Sequence, residues 1–135
     1  MESQSNAMEF VRLKTFAIIG ATQNRAKYGN IVYRNLRAKG YKVYAVNPNT
    51  DTVEGDRCYS NVSALPQKVD GIVTVVPPQI TEKVVHEAYA AGIKRVWMQE
   101  GSESDEAIRF GVDHGMAVIS NQCIMVVTNQ LNSKV

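Results

Sequence analysis

Cysteine, histidine and tryptophan are scarce in this chain, at two, two and one residues. Cys58 and Cys123 show no CxxC spacing and have no histidine pair nearby. That excludes a zinc site and leaves reduced thiols as the expected state. Long hydrophobic runs are missing too: no segment supplies the roughly 18–20 apolar residues of a membrane span, and the start lacks a secretory apolar core. Charge of one sign is not in excess, since 15 basic against 13 acidic residues give a net charge of +2. Such a balance argues against nucleic acid and is compatible with a small anionic ligand. These absences predict a cytoplasmic protein with no nucleic acid, no membrane and no metal, and leave room for a small anionic ligand. A protein partner or a homo-oligomer stays open.

What is present is ordinary for a globular domain: 44% hydrophobic and 21% charged residues in a chain of 135. Residues 1–7 are polar and patternless, with Ser5-Asn6-Ala7 before a second methionine. They read as an expression-tag remnant. Residues 8–128 read as one domain with a short lead-in turn or helix over 8–14, and 129–135 as a polar tail that frays.

Thr15-Phe16-Ala17-Ile18-Ile19 is an uncharged, β-branched run that stops at Gly20-Ala21-Thr22, as a strand buried on both faces would. A helical pattern follows from Tyr28 and closes at Gly40. Lys42–Val46 is a second strand stopped by Asn47-Pro48-Asn49. Residues 50–69 are irregular, with a short strand around Cys58-Tyr59. Ile72–Val76 is a third main strand, ended by Pro77-Pro78, and a helix spans Thr81–Ala91. Arg95–Met98 and Met116–Ile119 are further strands, separated by a helix over Asp105–His114 that Ser102 or Ser104 caps. Strands alternating with helices predict an α/β fold: an open parallel sheet of about five strands with helices on both faces.

Ligands of such sheets bind beyond the carboxyl ends of the strands. The loops expected on that rim are Gly20-Ala21-Thr22, Asn47-Pro48-Asn49, Pro77-Pro78, Gln99-Glu100-Gly101 and Ser120–Cys123. The first loop fails both G-x-G-x-x-G, with Thr22 and Arg25 at the glycine positions, and the P-loop pattern, with Arg25 and Ala26 there. What remains is one glycine, small neighbours, and a helix start with Arg25 and Lys27 close by. An NAD-binding unit carries an acid after its second strand; this chain has Asn47. Pro77-Pro78 offers either a plain stop or a rigid shelf for an adenine. His86 and His114 both fall in helices, so no nucleophile and base are evident and no catalytic residue is assigned. Cys123, just past the last strand, is the one side chain placed for chemistry, either as a buried apolar residue or by mixed-disulfide formation with a ligand thiol.

Taken together, Ile19-Gly20-Ala21-Thr22, Val46-Asn47-Pro48-Asn49, Val76-Pro77-Pro78, Trp97–Gly101 and Cys123–Val126 resemble the CoA-binding domain proteins. These are small stand-alone relatives of the amino-terminal domain of the succinyl-CoA synthetase alpha subunit. The resemblance covers roughly residues 13–127. It implies a Rossmann-like domain that binds coenzyme A or an acyl-CoA without catalysis of its own. By position, Gly20, Ala21 and Thr22 would hold phosphate oxygens, with Arg25 and Lys27 beside them. Lys42 would meet a CoA phosphate, Asn47 and Pro48 would shape the nucleotide rim, and Val76, Pro77 and Pro78 would contact the adenine. Gln99, Gly101 and Cys123 would complete the site. Glu100, where relatives often have proline, and Val127-Thr128, where many have an acid and a histidine, depart from the pattern. The competing expectations are a small NAD(P)-binding oxidoreductase and an accessory subunit of an acyl-CoA ligase.

Overall fold

A computed structural model of the chain describes residues 4–133. In order, the elements are α1 (Gln4–Val11), β1 (Thr15–Ile19), α2 (Tyr28–Ala38), β2 (Lys42–Val46), β3 (Thr52–Val53), β4 (Asp56–Tyr59), a single 3-10 turn (Val62–Ala64), β5 (Gly71–Thr74), α3 (Pro78–Ala90), β6 (Arg95–Met98), α4 (Asp105–Asp113), β7 (Ala117–Ile119) and α5 (Ile124–Ser133). The seven strands form one sheet in the order β3-β4-β2-β1-β5-β6-β7. All neighbours run parallel except β3 against β4.

Strand alternation divides the core into two layers. Phe16 and Ile18 of β1 face α1, α2 and α5, joining Phe10, Tyr33, Leu36, Trp97 and Ile124. Ala17 and Ile19 face α3 and α4, joining Val85, Ala88 and Ala107. Phe10 stacks on Phe16 at 5.0 Å between ring centroids and meets the edge of Trp97 at 5.4 Å. β1 sits centrally, and the chain leaves it toward β2 on one side and β5 on the other. The crevice expected at such a reversal opens at the carboxyl ends of these strands.

Several boundaries differ from the sequence reading. The sheet has seven strands, because Glu54 (φ +50°) and Gly55 (φ +81°) turn residues 52–59 into a hairpin that extends its edge. β5 stops at Thr74, and Val75-Val76 belongs to the loop. Pro77 caps α3 and Pro78 opens it, a position where the missing N–H costs nothing, so that helix begins before Thr81. α5 continues through residue 129 to Ser133, with Ile124, Val127 and Thr128 buried, so the segment expected to fray is helical. Ala7, set aside with residues 1–7, is 2% exposed and packs in the core. The outermost residues of both terminal segments lie outside the described residues. Ser104, one of the two expected caps, accepts from the Ala107 amide and caps α4.

Candidate functional site

The carboxyl ends of β1, β2 and β5 open on a cleft of about 800 Å³. Gly20 forms its floor. Its φ of +102° suits glycine, and a β-carbon there would lie 2.4 Å from the Val75 carbonyl oxygen. The Gly20 amide donates to the Val46 carbonyl (2.9 Å), tying the ends of β1 and β2 together. The first turn of α2 presses against this floor, where a β-carbon on Gly29 would stand 2.1 Å from the Gly20 carbonyl oxygen. Two glycines thus let a helix start meet a strand end backbone to backbone. No side chain caps α2. The first amides of a helix have no partner within it and carry its positive end, so this wall suits an anion.

Of the predicted site residues, Gly20, Thr22, Lys27, Asn47, Pro48, Val76 and Pro77 line the cleft. Ala21 lies beneath it, fully buried, and its carbonyl accepts from Asn47 Nδ2 at 2.8 Å. Asn47 Oδ1 accepts in turn from the Asn49 amide at 2.9 Å, so the Asn47 amide braces two loops. Pro78 is in the first turn of α3. Arg25 pairs with Glu54 (3.2 Å). Gly101 shapes the exit loop of β6, with φ +94° and its amide donating to Glu103 Oε1 at 2.7 Å.

Lys42 stands apart from this group. It opens β2, so four residue steps, about 13 Å of strand, separate it from the carboxyl rim. It lines a different depression with Arg37, Tyr44 and Arg57, its ammonium 5.5 Å from the Tyr44 ring centre.

Gln99 and Cys123 join a cluster around Tyr28, itself part of the cleft wall. Gln99 is fully buried and every polar atom of its amide is used. Nε2 donates to Tyr28 Oη (2.8 Å) and Cys123 Sγ (3.4 Å), and Oε1 accepts from the Ile124 amide (2.7 Å). Tyr28 Oη and Cys123 Sγ are 3.2 Å apart. Burial alone would raise the Cys123 thiol pKa, but hydrogen bonds from Tyr28, Gln99 and the amides of Val126 and Met125 outweigh it and hold the value below the ordinary thiol range. Tyr28 moves the opposite way, to about 12, chiefly through burial and then through its bond to Cys123. Cys58 is raised by burial, as an inert structural thiol should be.

Residues missed in the sequence complete the cleft. Tyr28 and Gly29 come from α2, Asn61 and Val62 from the 3-10 turn, and Ile80, Lys83, Val84 and Glu87 from α3. Val62, Val76, Pro77, Ile80 and Val84 make one wall apolar, while Lys27 and Lys83 are the cations among the lining residues. Gly29 had a visible signal, since a glycine in the first turn of a helix invites a packing explanation. The α3 residues had none. His86 and His114 lie elsewhere, exposed on α3 and at the end of α4, His86 tilted against Phe110 at 3.7 Å and His114 stacked on it at 3.9 Å.

Residues 14–129 match the family described as the CoA binding domain. Chain and sequence are similar to a conserved hypothetical protein of Pyrococcus furiosus: 47% identity, 84% of this chain and 97% of that one covered, TM-score 0.81. A hypothetical protein of Pyrococcus horikoshii OT3 superposes with TM-score 0.91 at 31% identity, covering 96% and 92% of the two chains. Among curated proteins, the alpha subunit of acetate–CoA ligase (ADP-forming) II from Pyrococcus furiosus is 29% identical over 91% of this chain and 29% of its own length. The chain spans between 12% and 29% of the ADP-forming ligases it matches. The glycine-floored cleft therefore lies within a Rossmann-like domain, and the chain belongs to the CoA binding domain family.

Proposed function

We propose that the chain binds coenzyme A or an acyl-CoA in the cleft at the ends of β1, β2 and β5, and performs no chemistry of its own on it. The observation that carries this reading is the meeting of Gly20 with the uncapped start of α2 at one end of an apolar-walled cleft. A diphosphate fits the amide-rich end beside Lys27, and an adenine fits the Val76-Pro77-Ile80 wall, with Lys83 and Glu87 on the same helix as Ile80. Ala21 supports the turn from below, and Arg25 and Pro78 support it through the elements they hold. In this arrangement phosphate charge falls to Lys27 and Lys83, with Lys42 at the far end of its strand. The thiol end of the ligand would lie toward Cys123, which Gln99 holds beside the cleft residue Tyr28, with Gly101 in the exit loop of β6 that follows Gln99.

A cytoplasmic setting belongs to the same proposal; no described helix is long and apolar enough to cross a membrane. An NAD(P)-dependent oxidoreductase is disfavoured by Asn47, whose amide is committed to Ala21 and supplies no carboxylate for a ribose. An accessory-subunit reading is favoured by one fact, the small share of the ADP-forming ligases that the chain spans. It places the CoA site here and the remaining chemistry on a partner.

Thermal stability measured in parallel with CoA, acetyl-CoA, NAD and NADP tests the ligand. CoA at about one hundred times its dissociation constant should add roughly 2.7 kcal/mol to folding stability. A shift with NAD and none with CoA would overturn the reading.

A further inference from the structure

The β3–β4 hairpin, which adds the antiparallel edge to the sheet, is stitched to the 20–27 loop. Gln23 Nε2 reaches Thr50 Oγ1 (2.9 Å) and both the carbonyl and hydroxyl of Thr52 (3.0 Å each). Arg25 Nε donates to Glu54 Oε2 at 3.2 Å. Asn30, fully buried at the start of α2, spends its two amide hydrogens on the Thr22 carbonyl (2.7 Å) and on Glu54 Oε2 (3.0 Å). Its Oδ1 accepts from Arg34 Nε at 2.6 Å. Two donors from different elements thus converge on one carboxylate oxygen. The Glu54 carboxyl is held below its usual range, first by the Asn30 bond and then by the charges of Arg25 and Arg34.

The identity of residue 54 is not explained by the turn. Its φ of +50° lies in the left-handed region, and with Gly55 also positive the pair takes hairpin geometry that asparagine or glycine adopts at lower cost. A glutamate there accepts backbone strain, and what it gains is the carboxylate contact with Asn30 and Arg25. Glu54 does not line the cleft, so its carboxylate reaches the ligand site through the 20–27 loop, by way of Asn30 to Thr22 and by way of Arg25.

We propose that Glu54 is a positioning residue for the anion-binding turn, holding Asn30 and through it the Thr22 carbonyl, so that the hairpin orders the 20–27 loop from outside the cleft. The ligand arm of the test rests on the CoA reading above; the loop arm does not.

Glu54→Gly removes the carboxylate while relieving the left-handed backbone, so the hairpin itself is not penalised. Hydrogen exchange read by mass spectrometry should show protection of the 21–27 amides falling at least tenfold, with β1 amides unchanged. Affinity for coenzyme A should fall about tenfold, whereas affinity for adenosine, which has no phosphate, should change less than twofold. Glu54→Gln, which still accepts from Asn30, should restore most of both losses. Unchanged loop protection in Glu54→Gly overturns the proposal, as does an equal loss for coenzyme A and adenosine. If the wild-type chain binds neither probe, the CoA reading fails and the exchange measurement alone decides the role of Glu54.

Discussion

The Gly20 carbonyl oxygen occupies the space that a side chain on Gly29 would need: a β-carbon there would be 2.1 Å away. The oxygen belongs to backbone held by the Gly20–Val46 hydrogen bond, so it cannot swing aside as a flexible side chain would. Gly29→Ala should therefore force α2 away from β1. Overpacking of this kind costs about 1–3 kcal/mol, readable as a lower urea midpoint, and coenzyme A binding should be lost more completely than stability. An alanine variant with unchanged midpoint and affinity would show that the contact relaxes at no cost.

The cations of the cleft differ from Lys42, which stands at the opposite end of β2 in another depression. Lys27→Ala and Lys83→Ala each remove an exposed charge, worth at most about 1 kcal/mol, or roughly fivefold in Kd for coenzyme A. Both losses should shrink as salt is raised. Lys42→Ala should leave Kd unchanged in a titration calorimeter. A larger effect from Lys42 than from Lys83 would move the phosphate site.

Cys123 should react with iodoacetamide faster than Cys58 near neutral pH. Its pKa is depressed, so more thiolate is present at a given pH, whereas burial pushes Cys58 the other way. Tyr28→Phe removes one donor to the sulfur and should move the rate profile of Cys123 to higher pH. Intact mass after incubation with oxidised coenzyme A should show one added CoA in the wild type and none in Cys123→Ser. In that exchange the Cys123 thiolate attacks the CoA disulfide and one CoA thiol leaves.

Acid should weaken the fold partly through Asp70. Burial alone would raise its pKa, but the amides of Lys14 and Thr15 donate to Oδ2 (3.1 Å each) and the net effect is a lowered value. A carboxyl whose pKa is depressed by folding contributes stability above its unfolded pKa, near pH 4, and loses it as pH falls through the folded value. Asp70→Asn should cost stability at pH 7 and flatten the decline below roughly pH 4. Urea midpoints at both pH values measure this, and parallel declines in variant and wild type would remove Asp70 from the account.

β1 and β2 were legible because each is an apolar run with an abrupt chemical stop, Gly20 or Asn47-Pro48, and the observed strands run Thr15–Ile19 and Lys42–Val46. The hairpin was not, since only two residue pairs hold it and its turn begins with glutamate. The side chains that bond to it from outside, among them Gln23, Asn30, Tyr33 and Arg37, are far away in sequence. The cleft was half legible for the same reason. Loop residues that terminate strands announce themselves, whereas Ile80, Lys83 and Val84 are ordinary helix residues that tertiary packing turns toward the site. Tyr28 and Cys123 meet across 95 residues, a separation no local pattern reports. The lysine assignment shows the limit of position along a strand, because Lys42 and the rim lie at opposite ends of β2.

The sheet ends in a two-residue strand on one side, β3, and a three-residue strand on the other, β7. Neither margin offers enough unpaired backbone to template a further strand. Edges this short discourage chain-to-chain association by continuing the sheet. A companion seated instead on the rim of the cleft would have its binding coupled to the occupancy of the site.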